Sequence, residues 1–378
     1  MSRKRLVAAV ALACAMAALA TPAAGAADPD PAPAVVYQSG DDTVVATATG
    51  EEMTRIPVLF HPTLDGNVVA GEGVGGGVGI AETSAFIVVA HDATTGDPLW
   101  TVYDARFPVV LDDGNQVAFL PDPLGVRDPQ VNSIWVADAS GVERLVVQFA
   151  NGPGLPGYDP GFEGDNGLLA FSFDEAASTV VVTQGNEVDL FIYDLFAVDV
   201  ATGEVTRLTD DRKSRSPAMA PGGDRVVFGR DVETCEEGYI KASDLVIIGS
   251  DAGDERTLSE GSCTSWMHNA RWISDSEVVV HWWHDRADGR RIKDLVLLDV
   301  DTGEITALTR GTKPWWFTVD RETDTIAYMT GSRRGVTLLD VRTRELIRGA
   351  TVAWLPSMSG DPVSYTHLTL PTMSTTGG

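Results

Sequence analysis

The chain has 378 residues and a formal net charge of −26, with 28 Lys and Arg against 54 Asp and Glu. So acidic a composition excludes general binding to nucleic acid or to anionic membranes, both of which need a basic face. Its 38 Gly and 20 Pro are spread between short apolar runs instead of being gathered in one tract, which is the composition of a chain with many tight turns.

The N-terminus has the three parts of a secretory signal: a basic start at Arg3, Lys4 and Arg5, an apolar run from Leu6 to Ala20, and the small residues Ala24, Gly25 and Ala26 at the cleavage site. The run is about 15 residues long against about 20 for a membrane span, so residues 1–26 are expected to be removed, and no membrane insertion is expected. Residues 27–42 begin with Asp28-Pro-Asp-Pro-Ala-Pro33 and read as a stiff tether leading into the fold.

From Thr43 onward a strand, turn and strand recurs. Its clearest copies are Phe86–Gly96, Phe196–Gly203 and Leu295–Gly303, each a β-rich run ending in Asp and a glycine turn; weaker copies turn at Gly50, Gly141, Gly253 and Arg344. The gaps between the seven turns are 46, 45, 62, 50, 50 and 41 residues, the longest holding an insertion at Ala150 to Asn166. A β-rich period of this size is that of a propeller, in which one four-stranded blade consumes one period. A β-sandwich also has short strands, but its turns would not recur with the same residues at a near-constant interval.

Between these hairpins lies a second one, in which an apolar or aromatic strand meets an acidic or glycine turn and then a β-branched strand. It occurs at Phe60–Ala70, Val109–Phe119, Phe171–Val182, Met219–Phe228, Trp272–Val280 and Phe317–Ala327. Together with Leu208-Thr209 and Leu308-Thr309, these hairpins resemble the repeat of the TolB-like, WD-repeat-related propeller family. No copy holds that family's whole inner pattern of aromatic, Ser, Pro, Asp and Gly. The resemblance implies an extracytoplasmic, bacterial propeller over Thr43 to Pro362.

The expected fold class is therefore all-β: a seven-bladed β-propeller whose closing blade is split between N- and C-terminal strands. In this reading Thr43 to Arg55 supplies the two outer strands of that blade, Thr351 to Leu355 begins its innermost strand, and the remaining strand lies past Pro362. Val363 to Thr372 resembles a translated sequencing adapter, so residues 363–378 read as a non-native tail and the natural C-terminus as truncated.

Candidate chemistry is sparse. Arg212, Lys213, Arg215, Arg286, Arg290, Arg291, Lys293, Arg310, Lys313, Arg333 and Arg334 all fall in loops that the strand order puts on one face, and all but Arg310 and Lys313 are the expected binding residues for an anionic or protein partner. Acidic loops with Asp159, Glu163 and Asp165 share that face. Cys235 and Cys263, the two cysteines left after signal removal, are expected to pair, since an oxidising compartment favours the bond and the strand order places their loops side by side. His281-Trp-Trp-His284 is the most conspicuous cluster, but on one strand His281 and His284 face opposite sides and cannot share a metal without a bulge.

Asp-rich turns such as Asp299–Gly303, Asp112-Asp113-Gly114 and Asp210-Asp211 lack the ligand register of an EF-hand; no cofactor is expected, with a structural calcium ion on one such turn as the alternative. No Gly-x-Ser-x-Gly elbow and no alternating β and α pattern occurs, so no catalytic residue is assigned. The expected function is a secreted, monomeric binding or scaffold module that recognises a protein, peptide or envelope polymer through its loop face or channel. The alternative is a propeller enzyme, a lyase or glycoside hydrolase, with carboxylates at the channel mouth.

Overall fold

The computed structural model describes residues 35–358 except 40–41, 48–50, 58, 66, 75–85, 112–114, 122–132, 150–165, 175–178, 187–192, 236–240, 322, 331–335 and 351–353. Among the described residues every regular element is a strand. The first three are β1 (Val35–Ser39), β2 (Asp42–Ala46) and β3 (Glu52–Pro57); the next sheet holds β4 (Phe60–Asp65), β5 (Val68–Val74), β6 (Phe86–Asp92) and β7 (Pro98–Tyr103). Then follow β8 (Ala105–Leu111), β9 (Gln116–Pro121), β10 (Ser133–Asp138) and β11 (Glu143–Gln148), and β12 (Asn166–Asp174), β13 (Thr179–Asn186), β14 (Tyr193–Asp199) and β15 (Val205–Arg207). The next set is β16 (Ser214–Met219), β17 (Arg225–Thr234), β18 (Lys241–Gly249) and β19 (Arg256–Ser259), followed by β20 (Ser265–Trp272), β21 (Glu277–Asp285), β22 (Arg291–Asp299) and β23 (Ile305–Ala307). The last are β24 (Pro314–Asp320), β25 (Thr325–Thr330), β26 (Val336–Asp340), β27 (Leu346–Ala350) and β28 (Trp354–Met358).

These strands form seven four-stranded antiparallel sheets. Six are meanders of consecutive strands, and the seventh has the order β28-β1-β2-β3. Each sheet packs on the next in chain order, with β28 lying against both β24 and β4, and the first strands of neighbouring sheets lie side by side around a common centre. The chain is a β-propeller.

The split blade closes differently from the expectation. Its second strand is β1, drawn from the segment read as tether, with Val35 opposite Ala46 on one side and opposite Met358 on the other. Val35-Val36-Tyr37 is a β-branched and aromatic run, and its flanking Pro and Asp residues masked that strand propensity. The split is thus one C-terminal strand against three N-terminal ones, and the sheet needs no strand past Pro362.

Alternating side chains feed different seams between blades. On β13, Val180 and Val182 pack towards the preceding sheet with Val109, Leu120, Ile134 and Phe149, while Val181 packs towards the following one with Met219, Val226 and Phe228. A strand covered on both faces needs apolar residues at every position, which is why these strands read as continuous runs. Each fully buried Val or Leu contributes about 1.5–3 kcal/mol.

The recurrent turns have a common chemistry. Asp299 accepts the amides of Asp301 (3.0 Å) and Thr302 (2.7 Å) on its carboxylate and that of Gly303 (2.8 Å) on its carbonyl. The Thr302 amide chiefly holds the Asp299 carboxyl below the usual range, as the Thr202 amide does for Asp199 in the equivalent turn. The Leu-Thr pairs tie the outer strand back to the third: Thr309 Oγ1 accepts the Leu295 amide (2.9 Å) and donates to Asp294 (3.3 Å), and Thr209 does the same with Leu195 (3.0 Å) and Asp194 (3.4 Å).

Candidate functional site

The innermost strands share a local irregularity. Register shifts fall between Phe60 and Thr63, Arg106 and Val109, Arg215 and Ala218, His268 and Arg271, and Pro314 and Phe317. Pro62, Pro108 and Pro217 sit inside three of them, where a missing N–H costs no ladder bond. Ser216 and Asn269 take left-handed backbone there, with φ of 53° and 54°. The bulges re-aim the side chains that flank them. Arg106 and Arg215 occupy the same bulge position in two blades and each engages a buried acid of a second strand: Arg106 meets Glu72 at 4.0 Å and Arg215 meets Asp231 at 2.9 Å.

The cations expected on the loop face have three fates. Arg215 is drawn inward, bonded to Asp231 and to Ser243 Oγ (3.2 Å). Arg290 pairs with Asp288 (2.8 Å) inside its own turn although its side chain is 78% exposed, and Arg291 pairs with Asp285 (3.2 Å) and donates to the Cys263 carbonyl (3.0 Å). The Arg212 amide donates to Asp194 (3.0 Å), fixing the loop that leads into β16. Lys213, Arg286, Arg310 and Lys313 are exposed, and the Arg286 guanidinium lies against Gly311, which brings the loop after β21 against the loop before β24. Arg333 and Arg334, like Asp159, Glu163, Asp165 and Asp112 to Gly114, lie outside the described residues.

Cys235 and Cys263 form a disulfide, with Cα atoms 5.4 Å apart and a sequence separation of 28. It joins the loop after β17 to the loop before β20 and packs with Ala242, Trp266 and Trp283. Trp266 and Trp283 stack with ring centroids 5.6 Å apart, and the pair is clamped by two cations: Arg291 over Trp266 at 5.2 Å and Lys293 over Trp283 at 5.3 Å. Two residues expected at the surface therefore hold an indole stack between them.

The His-Trp-Trp-His segment divides as its alternation requires. Trp282 and His284 stack on one face of β21 at 3.9 Å, while His281 turns to the other, where it is 1% exposed and meets the edge of Phe317 on β24 at 4.8 Å. Across the strand pair His281 faces His268, with ring centroids 5.4 Å apart. Trp283 Nε1 donates to His268 Nε2 (2.8 Å), and Lys293, 9% exposed, donates to the Trp315 carbonyl (3.3 Å). Burial, with the charge of Lys293 added, holds both imidazoles well below their ordinary pKa. Burial alone lowers Lys293 to about 7.

The sequence marked His281 and Lys293 separately. Their meeting in one seam needed the strand register, which pairs Trp283 with Lys293 and His268 with His281.

No family model and no curated protein matches the chain. Solved structures do. An oligogalacturonate lyase in complex with manganese is similar at 14% identity and a TM-score of 0.59, over 85% of each chain. An oligogalacturonate lyase from Vibrio parahaemolyticus is similar at 11% identity and a TM-score of 0.56, over 85% of this chain and 84% of that one. TolB from Acinetobacter baumannii is similar at 14% identity and a TM-score of 0.46, over 86% of this chain and 82% of that one. At these identities the two lyase likenesses bear on architecture alone, and with the sheet order they place the chain among the β-propellers.

Proposed function

We propose that the protein is a secreted binding propeller that recognises an acidic protein, peptide or envelope polymer through its loop face. The observation that carries this reading is the contrast among the loop cations. Arg215, Arg290 and Arg291 have carboxylate partners, whereas Arg286, Arg310 and Lys313 stand exposed with no ion pair among the described residues, on a chain whose net charge is −26. A local excess of positive charge on an acidic molecule is costly unless something negative meets it, and it steers such a partner to one place. The disulfide and the signal-like N-terminus support an oxidising, extracytoplasmic compartment.

Binding of the mature protein to labelled polyglutamate tests this. The triple variant Arg286→Gln, Arg310→Gln, Lys313→Gln should weaken binding by about tenfold or more at low salt, each exposed charge contributing a fraction of the total. Equal affinity of the variant and the parent refutes the loop-face reading.

A second reading has its own support. Both oligogalacturonate lyases are similar in fold over 85% of this chain, and Glu72 and Asp231 are buried acids held beside the innermost strands, where an enzyme of this shape would place its carboxylates. Among the described residues no three His, Cys, Asp or Glu side chains are grouped to hold a metal ion. A screen of acidic polysaccharides for an unsaturated product distinguishes this reading from the first.

A further inference from the structure

Buried polar groups are almost always partnered, so those left over call for an explanation. In the seam between the sheet of β20–β23 and the sheet of β24–β27, two of the described side chains are short of partners. His281 is 1% exposed and neither of its ring nitrogens has a hydrogen-bond partner. The Lys293 ammonium has three hydrogens to donate and one acceptor, the Trp315 carbonyl. Among the described residues Lys293 makes no ion pair, and its ammonium lies over the Trp283 ring at 5.3 Å.

The surroundings deepen the imbalance. From β20 come His268 and Arg271, whose charges act on His281; from β21, Trp283; from β24, Phe317 and the Trp315 carbonyl; and from the neighbouring β16, Arg215, whose charge acts on His268. The nearby acids are committed elsewhere: Asp231 to Arg215, Asp285 to Arg291, and Asp294 to Thr309 and the Gly311 amide. The charged groups that act on His268 and His281 are thus all bases, in a protein with nearly twice as many acids as bases, and the Tyr328 phenol, its pKa raised by burial, packs in the same seam. Trp315, whose carbonyl accepts from Lys293, is itself 52% exposed, so the ammonium is bonded to the backbone of a surface residue.

We infer that this seam is an oxyanion site, in which Lys293 supplies the charge and His281 a hydrogen bond to a carboxylate or phosphate. A bound oxyanion accepts from the free Lys293 hydrogens and from one His281 nitrogen, removing both deficits at once, beside the Trp283 indole on which the Lys293 ammonium already lies. Protons are taken up on binding, because the anion favours the charged forms of both bases. The site is separate from the exposed loop cations and does not depend on them.

The experiment is thermal unfolding of the mature protein with sodium acetate or sodium phosphate, against sodium chloride at equal ionic strength, at about pH 6 and about pH 9. The oxyanion should raise the midpoint by several degrees more than chloride at the lower pH, where Lys293 is charged, and by less at the higher. A response to acetate alone identifies a carboxylate, and one to phosphate alone a phosphate. Lys293→Met should abolish the response, and the triple variant of Arg286, Arg310 and Lys313 should keep it. If Lys293→Met does not fold, the Lys293 side-chain resonance of the parent protein serves instead, and its titration should move to higher pH as the oxyanion is added. No response beyond that of chloride, a response that persists in Lys293→Met, or an unmoved Lys293 titration each overturns the site.

Discussion

Two glycines in equivalent turns separate backbone conformation from packing. Gly203 and Gly303 both have φ of 76°, but an added Cβ at Gly203 would stand 2.5 Å from the Val146 carbonyl oxygen of the preceding sheet, whereas at Gly303 nothing lies within 4 Å. Gly303→Ala should therefore cost about 1 kcal/mol, the left-handed conformation alone, and Gly203→Ala more than about 2 kcal/mol by urea denaturation, because a backbone atom must also move. Lys293 makes a prediction of the opposite sign. Its folded pKa of about 7 lies below the unfolded value of 10.5, so between those values the unfolded chain holds more protons and stability rises with pH. His268 and His281, also depressed, extend the trend downward: stability is lost as pH falls through the ordinary histidine range. In dilute chloride buffer Lys293→Met should flatten the curve above neutrality and raise the stability of the protein at about pH 7. The turn residues were legible in the sequence because Asp and Gly act within four residues of each other. The environment of Lys293 was not, since its neighbours come from separate strands.

At the level of the hairpin, the Leu-Thr pair is a tether whose removal should be felt in the core. Thr309→Val keeps the shape but leaves the buried Leu295 amide without its acceptor, and should cost about 1–3 kcal/mol in denaturant unfolding. The disulfide closes a separation of 28 residues, so replacing Cys235 and Cys263 by Ala should cost about 3–4 kcal/mol in the chain-entropy model, seen as a lower unfolding midpoint in the absence of any reductant. It should also loosen the Trp266–Trp283 stack, which red-shifts tryptophan emission. Both hairpins of each repeat were readable from alternation and turn residues, and Phe196–Gly203 and Leu295–Gly303 fall on β14–β15 and β22–β23 as expected. The bulges of the innermost strands were not readable: Arg106-Phe-Pro-Val109 and Arg215-Ser-Pro-Ala218 contain a proline that announces a break in pairing, but His268-Asn-Ala-Arg271 has none.

Across the whole molecule, the recurring turn interval revealed the propeller because each blade buries its faces only against its neighbours, so the same pattern must return once per blade. The partition of the split blade escaped it, since five residues beside a proline tract carry little pattern of their own. Function was the least legible. Loop cations look alike in a sequence, and only the folded chain separates Arg290 and Arg291, spent in local ion pairs, from Arg286, Arg310 and Lys313. The most direct test of the binding account scores association and turnover in one sample: the mature protein is titrated with oligogalacturonate and with polyglutamate, with heat of binding and ultraviolet absorbance of unsaturated product followed together. The account predicts saturable association with an acidic polymer that weakens steeply with salt and leaves the polymer intact. Accumulation of unsaturated product, lost on replacing Glu72 or Asp231, would contradict it and make the molecule a lyase.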